Sequence, residues 1–281
     1  MLHRPRFLSY AQNREDVRLY RAFPRPHGFY IDVGAADPVE FSVTKALSDR
    51  GWRGINFEPQ QYYFEKLVAG RLNDLNLKVC LSNQTGEITL FEAPTHRGFS
   101  TVDPSVAAEW AAKGIESISM RVPTTTLAEV CEIHAPARID FLKIDVEGHE
   151  RSVLLGADFK RFRPTVLVIE ATEQNASTPN HHLWEDVVFA ADYRFAVFDG
   201  LNRFYVRKED VALAEVLALS PNVFDDYGPA DVWQRVSELE TEVRDLREAV
   251  NHLNGSLAHA QNAAANSIPS RIKKLFHKKA A

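Results

Sequence analysis

Tyr30–Pro38 reads YIDVGAADP: aromatic and β-branched residues interrupted by Asp32, then Gly34, then a second acid, Asp37, directly before Pro38. A buried strand that runs into glycine and on into a helix puts backbone at the carboxyl end of a sheet, within reach of a ligand. The helical stretch that follows is SVTKALSDRG, residues 42–51, closed by Gly51. Moving outward, WRGINFEP (52–59) reads as a second strand, QQYYFEKLVAG (60–70) as a second helix and LKVCLS (77–82) as a third strand. Strands separated by helix-length segments imply βαβ units and a parallel sheet.

Residues 86–123 break that rhythm. GEITLFEA and SISMRVP alternate like edge strands around a capped helix, VDPSVAAEWAAKG, which together read as an insertion beside the sheet. The βα pattern resumes with IDFLKIDVEG, HERSVLLGADF, PTVLVIEAT and HHLWEDVVFAAD. YRFAVFDG and NRFYVRK, joined around Gly200 and Asn202, form a terminal hairpin, so one strand of the sheet runs antiparallel.

The ligand at the first turn can be narrowed by chemistry. A phosphate-binding Walker loop needs lysine and Ser/Thr after its second glycine, and a dinucleotide fingerprint needs three spaced glycines. Here Gly34 is followed by Ala35, Ala36 and Asp37, and a carboxylate beside a pyrophosphate is repulsive. The second strand ends in Glu58 and Pro59, where a carboxylate accepts hydrogen bonds from ribose hydroxyls. An acidic turn with a ribose acceptor fits S-adenosylmethionine, which carries adenosine and a sulfonium charge but no phosphate. Asp32, Gly34, Ala35, Ala36, Asp37, Glu58, Pro59 and Ser82 are therefore the candidate cofactor residues.

A third motif, DFLKIDVEGHE (140–150), gathers Asp145, Glu147 and Glu150 where a strand passes into a helix, with Lys143 inside the apolar strand. Asp145, Glu147 and Lys143 are the catalytic candidates: carboxylates there can face a sulfonium, fix a substrate hydroxyl or accept its proton. Glu150 reads equally as an acid favouring a helix N-terminus. His149 reads as a base or as a structural histidine, and His96, Ser100 and Thr101 in the loop THRGFSTVDP are candidate acceptor contacts. Gln12, Asn13, Glu15 and Asp16 are placed to close over the cofactor from the N-terminal side. Neither cysteine has a second cysteine at metal-ligand spacing, and no residue is assigned to a metal.

FYIDVGAADP, GINFEP, LSNQTGEITLFE and IDFLKIDVEGHERSVLLGA, in that order, resemble the FkbM-type S-adenosylmethionine-dependent methyltransferases, over roughly residues 9–207. The resemblance implies a class I methyltransferase, a Rossmann-like α/β fold with a mostly parallel sheet, and O-methylation of a hydroxyl, often on a sugar or natural product. Ala36 and Pro38 depart from the Asn or Gly and the Gly more usual in similar enzymes. Two other readings stay open: a dinucleotide or nucleotide-sugar oxidoreductase, and a non-catalytic scaffold with a degenerate cofactor domain. A role in surface-polysaccharide or glycolipid synthesis is the first expectation for the acceptor.

The remaining chain is read by composition and period. With 281 residues, 45% apolar and 25% charged, the sequence has ample material for a core. A formal charge of −5 argues against nucleic-acid binding through global charge. The two cysteines, Cys80 and Cys131, read as buried reduced thiols of a cytoplasmic protein. The basic start lacks the apolar run of a signal peptide, and no segment is long and apolar enough to span a membrane.

After residues 221–230, read as a linker, Val232, Val236, Leu239, Val243, Leu246, Val250, Leu253 and Leu257 alternate at spacings of four and three. That is a heptad seam within a coiled coil over 231–258. Valine at most a positions with leucine at most d positions favours a parallel homodimer through 232–257; packing on the chain's own domain is the alternative. Gly255 and the Ala/Asn-rich stretch after it are expected to end or loosen the helix. The tail 259–281 carries Arg271, Lys273, Lys274, Lys278 and Lys279, read as solvated or as a weak contact with an anionic membrane surface at the inner face. The expected order is thus an N-terminal segment (1–27), a methyltransferase domain (28–220), the linker, the coil and the tail.

Overall fold

The structure, a computed structural model, describes residues 5–267 apart from 97 and 175. Two compact units divide it, Met1–Gly228 and Pro229–Ala281.

The first unit is built on a seven-stranded sheet: β1 (Phe29–Val33), β2 (Arg53–Phe57), β3 (Leu75–Leu77), β4 (Phe141–Ile144), β5 (Val166–Glu170), β6 (Tyr193–Phe198) and β7 (Asn202–Arg207). Its spatial order is β6-β7-β5-β4-β1-β2-β3. Neighbours from β3 to β5 are parallel, whereas β7 runs antiparallel to both β5 and β6. The hairpin expected from the sequence supplies that antiparallel strand. Strand order reverses between β1 and β4, and in such sheets ligands bind outside the carboxyl ends at the reversal.

Both faces of the sheet are covered, which explains why these strands read as nearly continuous apolar runs. Ile31, Val33, Leu142, Ile144, Leu167 and Ile169 point into one core, against Leu127, Val153 and Trp184. Tyr30, Phe141, Val166, Val168, Phe204 and Val206 point into the other, against Leu19, Trp52 and Leu217. Asp32 and Lys143 break the second set and lie opposite each other in the β1–β4 register. By the period of two, the polar residues at the strand ends share one face.

A second sheet of four strands, in the order Cys80–Leu81, Ile118–Thr125, Gly86–Glu92 and Ser100–Thr101, holds the expected insertion. It changes the reading of LKVCLS. That stretch is not one strand: the chain adds Leu75–Leu77 to the main sheet and then crosses, so Cys80–Leu81 pairs with Thr124–Thr125. The helix expected over 42–51 is shorter, Lys45–Ser48: just before it, Ser42 Oγ accepts from the Lys45 amide at 3.2 Å, and Thr44 Oγ1 turns to Asp32 on β1 at 2.8 Å.

The N-terminal segment is not a separate element. Helix Glu15–Ala22 is tied to the helix Val211–Ala218 region by Arg18, whose guanidinium donates to the carbonyls of Leu217 and Leu219. The expected linker is likewise held by the first unit beyond Asp225, which pairs with Arg21 at 3.2 Å: the carbonyl of Asp226 accepts from the Phe7 amide at 3.1 Å, and the unit runs to Gly228. Cys80 and Cys131 are free and buried.

The second unit is one helix, Ala230–Ser267. Gly255 does not end it, since the alanines that follow are the strongest helix formers. The basic residues Arg271, Lys273, Lys274, Lys278 and Lys279 lie outside the described residues. Among the described residues, no helix is long and apolar enough to cross a membrane.

Candidate active site

A cavity of about 500 Å³ opens at the carboxyl ends of β1, β2 and β4. The turn after β1 forms part of its wall. Gly34 has φ +78, and a Cβ there would sit 1.8 Å from the carbonyl oxygen of Asp145, so only glycine allows the turn to pass that close to β4. The amides of Gly34 and Ala35 do not face a ligand; both donate to the carbonyl of Phe57, at 3.0 and 3.1 Å, and weld the end of β1 to β2. Ala36 sits at φ 48, a conformation in which Asn or Gly is the commoner residue.

Glu58 is the hub of this wall. Its Oε2 accepts from the Ala36 N–H at 2.9 Å and its Oε1 from the Gln60 N–H at 2.8 Å. A carboxylate accepts about four hydrogen bonds, so capacity remains toward the cavity that Glu58 lines. Burial pushes its carboxyl up to about 7, against the pull of those two amides.

Asp32 is buried and accepts from Thr44 Oγ1 at 2.8 Å; Arg71 supports this from behind through Ser42 at 2.8 Å. Burial raises the Asp32 carboxyl, and Lys143 and Thr44 partly oppose it. Asp37 lines the cavity, but its carboxylate is spent. One oxygen caps the amides of Val39 and Glu40, and the other pairs with Lys66 at 2.5 Å. The sequence expectation of a free acid facing a cation therefore needs correction at Asp37, whose charge is neutralised by a lysine from the helix Gln61–Gly70.

Lys143, Asp145 and Glu147 come together on the opposite wall. Lys143 is buried and donates to Asp145 Oδ2 at 2.8 Å. Burial works against both charges, but the pair outweighs it: Lys143 is held above, and Asp145 below, the ordinary value. Glu147 is pushed up to about 8 by burial and by the charge of Asp145. Glu150 is the structural acid of the group, since one oxygen accepts from the amides of Val146 and Gly148 and closes the turn.

Glu170, at the end of β5, was missed by the sequence reading. It brings a carboxylate oxygen to within 4.8 Å of those of Asp145 and Glu147, a set with the composition to hold a metal ion, whereas no residue was assigned to one. Burial, then Asp145 and Glu147, raise its carboxyl to about 11. The signal was available: Glu170 ends an apolar strand, and period two puts it on the sheet face that carries Asp32 and Lys143.

Of the other candidates, Pro59, Ser100, Thr101, His149, Gln12 and Glu15 line the cavity, whereas Ser82, His96, Asn13 and Asp16 do not. Ser82 instead contacts His149 Nε2 at 3.2 Å. His149 is held neutral by burial. Asp16 binds Ser9 and the amides of Tyr10 and Ala11, an internal clasp of the N-terminal segment. Phe41, Tyr62 and Asn202 complete the wall from positions the sequence did not mark.

Compared with known proteins, residues 32–195 match the methyltransferase FkbM domain. No curated protein matches the chain. Among solved structures, it is similar to methyltransferase FkbM from Methylobacillus flagellatus KT, at 16% identity and a TM-score of 0.42, over 64% of this chain and 44% of that one. It is also similar to precorrin-6y C5,15-methyltransferase from Geobacter metallireducens GS-15, at 11% identity and a TM-score of 0.39, over 73% and 93% of the two chains. An O-methyltransferase from Bacillus cereus solved with S-adenosylhomocysteine matches at 11% identity and a TM-score of 0.36, over 69% and 80%.

Proposed function

The chain belongs to the FkbM methyltransferase family, and from that premise we propose that it methylates a hydroxyl oxygen of a sugar, glycolipid or related small molecule. It is an S-adenosylmethionine-dependent enzyme, so the oxidoreductase and scaffold readings give way. The residues fit that cofactor. Glu58 keeps acceptor capacity for ribose hydroxyls, and Gly34 lets the turn after β1 lie close against β4. S-adenosylmethionine supplies an electrophilic methyl group; the chain binds, orients and manages one proton.

The observation that carries the hydroxyl reading is the Lys143–Asp145 pair at 2.8 Å on the cavity wall. An ionised carboxylate, held so by a buried ammonium, accepts a hydrogen bond from a hydroxyl and fixes the direction of its lone pairs. Ser100 and Thr101, from the inserted sheet, line the same cavity; Ser100 suits a hydroxyl-bearing molecule, whereas the Thr101 hydroxyl is taken by the Asp103 amide at 3.1 Å. The free, buried thiols of Cys80 and Cys131 favour a reducing compartment, the cytoplasm, for the reaction.

The test is a panel of sugars, nucleotide sugars and glycolipids incubated with a labelled methyl donor. Label on a hydroxyl oxygen is expected. Asp145→Asn should lower kcat by about 10²–10⁴-fold while leaving donor affinity, measured by calorimetry, within a few-fold. Transfer to nitrogen or carbon, or full turnover in Asp145→Asn, would remove the hydroxyl reading.

A further inference from the structure

We propose that Asp145, Glu147 and Glu170 form a divalent-cation site on the cavity wall, taking magnesium or manganese and presenting it to two adjacent oxygens of the acceptor. The three carboxylates come from the carboxyl ends of neighbouring parallel strands, β4 and β5, and their ligand oxygens all lie within 4.8 Å of one another. Magnesium–oxygen bonds run about 2.0–2.1 Å and so span oxygens up to about 4.2 Å apart; the three side chains would draw together by about 0.6 Å at most to bind the ion. An all-carboxylate set selects such ions over zinc or copper.

Two further observations point to a cation. Glu170 is only 8% exposed, its carboxyl meets another acid, Asp145, and its Oε2 has no donor; Glu147 also keeps a buried oxygen without one. Buried carboxylate oxygens are normally paired, because leaving one bare costs its full desolvation. Asp145 and Glu147 line the cavity, so the ion's open positions face the acceptor, where a vicinal diol would chelate it.

The inference rests on the methyl-transfer reading for its purpose but not for its test. Full-length protein stripped with a chelator is titrated with manganese alone and followed by electron paramagnetic resonance. One saturable site per chain is expected, weakened at least about tenfold in Glu170→Gln, whose shape is conserved. Calorimetry with S-adenosylmethionine on the same stripped samples should give equal affinities for the two proteins, since Glu58 is intact. Absence of saturable manganese binding in the wild type, or equal binding in Glu170→Gln and Glu147→Gln, would overturn the site. Loss of donor binding alone would instead indict the methyltransferase reading.

The long helix carries a second inference independently: we infer that it pairs in parallel with the same helix of a second copy. Val232, Leu239, Val243, Leu246, Val250, Leu253 and Leu257 are 42–66% exposed, on a helix whose other described faces are polar. A single helix with such a stripe is marginal in water, because helices draw most of their stability from packing an apolar face. A second copy is the occupant that charge selects. In parallel register Arg235 faces Glu240 of the partner subunit, and Glu242 faces Arg247 of the partner subunit; the antiparallel arrangement keeps only pairs between Glu240 and Arg247.

Light scattering on the full chain should give twice the mass of 31.8 kDa, falling to one chain in Val243→Asp/Leu246→Asp. Val250→Cys should oxidise to a disulfide-linked dimer, because like a positions meet only in the parallel arrangement. A monomeric wild type would refute the pairing, and a dimer in which Val250→Cys fails to cross-link would refute its direction.

Discussion

Glu58 shows how a single side chain can carry a binding site while its environment works against its charge. It is 3% exposed, and two backbone amides offset only part of the cost of keeping it ionised. Its carboxyl therefore sits near 7 rather than at the usual value of 4.5. A ribose hydroxyl donates best to the ionised form. Donor affinity, measured by calorimetry, should accordingly weaken as pH falls below about 7, and Glu58→Gln should bind more weakly and with a flat profile. A steep profile in Glu58→Gln would assign the titration elsewhere. At this scale Asp32, Gly34, Glu58 and Asp145 were legible because each interrupts or ends an apolar run. Ser82, His96 and Asp16 were not separable from true lining residues, since proximity in sequence to a motif does not say which way a side chain points.

Elements were legible where period and capping agree. The helix Leu127–His134 begins with a reciprocal cap: Thr126 Oγ1 accepts from the Glu129 amide at 3.1 Å, and Glu129 Oε2 accepts from the Thr126 amide at 3.2 Å. Its Leu127, Val130 and Cys131 pack against the core face that includes Ile144 of β4. Thr126→Ala should destabilise the protein by about 1 kcal/mol, seen in chemical denaturation, with donor affinity unchanged. A loss several times larger would mean that the cap also holds the inserted sheet. The split of LKVCLS between two sheets was not legible, because both halves are apolar and strand-forming, and only the position of Ile118–Thr125 draws the second half away. Likewise, Gly255 reads as a stop, yet the helix runs on to Ser267 because nothing after it competes with helix.

Across the whole molecule, several acids are buried with raised values: Glu15 to about 7, Asp16 to about 6 and Glu58 to about 7, each with burial as the first cause. The unfolded chain releases these protons near 4.5, 3.8 and 4.5, so within the window up to about 7 the folded state holds more protons. Stability must then fall as pH rises through that window, and the melting temperature of the ligand-free protein should be higher at pH 6 than at pH 8. The reverse order would mean that imidazoles held below their usual range by burial, those of His149 and His181, dominate instead. Read alone, the sequence determined the alternation of strands and helices, the turn at Gly34, the acids at strand ends and the heptad stripe, because these follow from period, backbone sterics and local charge. Only the tertiary structure decided that Asp37 is neutralised by Lys66, that the inserted strands close one side of the cavity and that Glu170 joins Asp145 and Glu147. Those outcomes depend on which strands become neighbours, and strand order is set by packing between residues far apart in the chain.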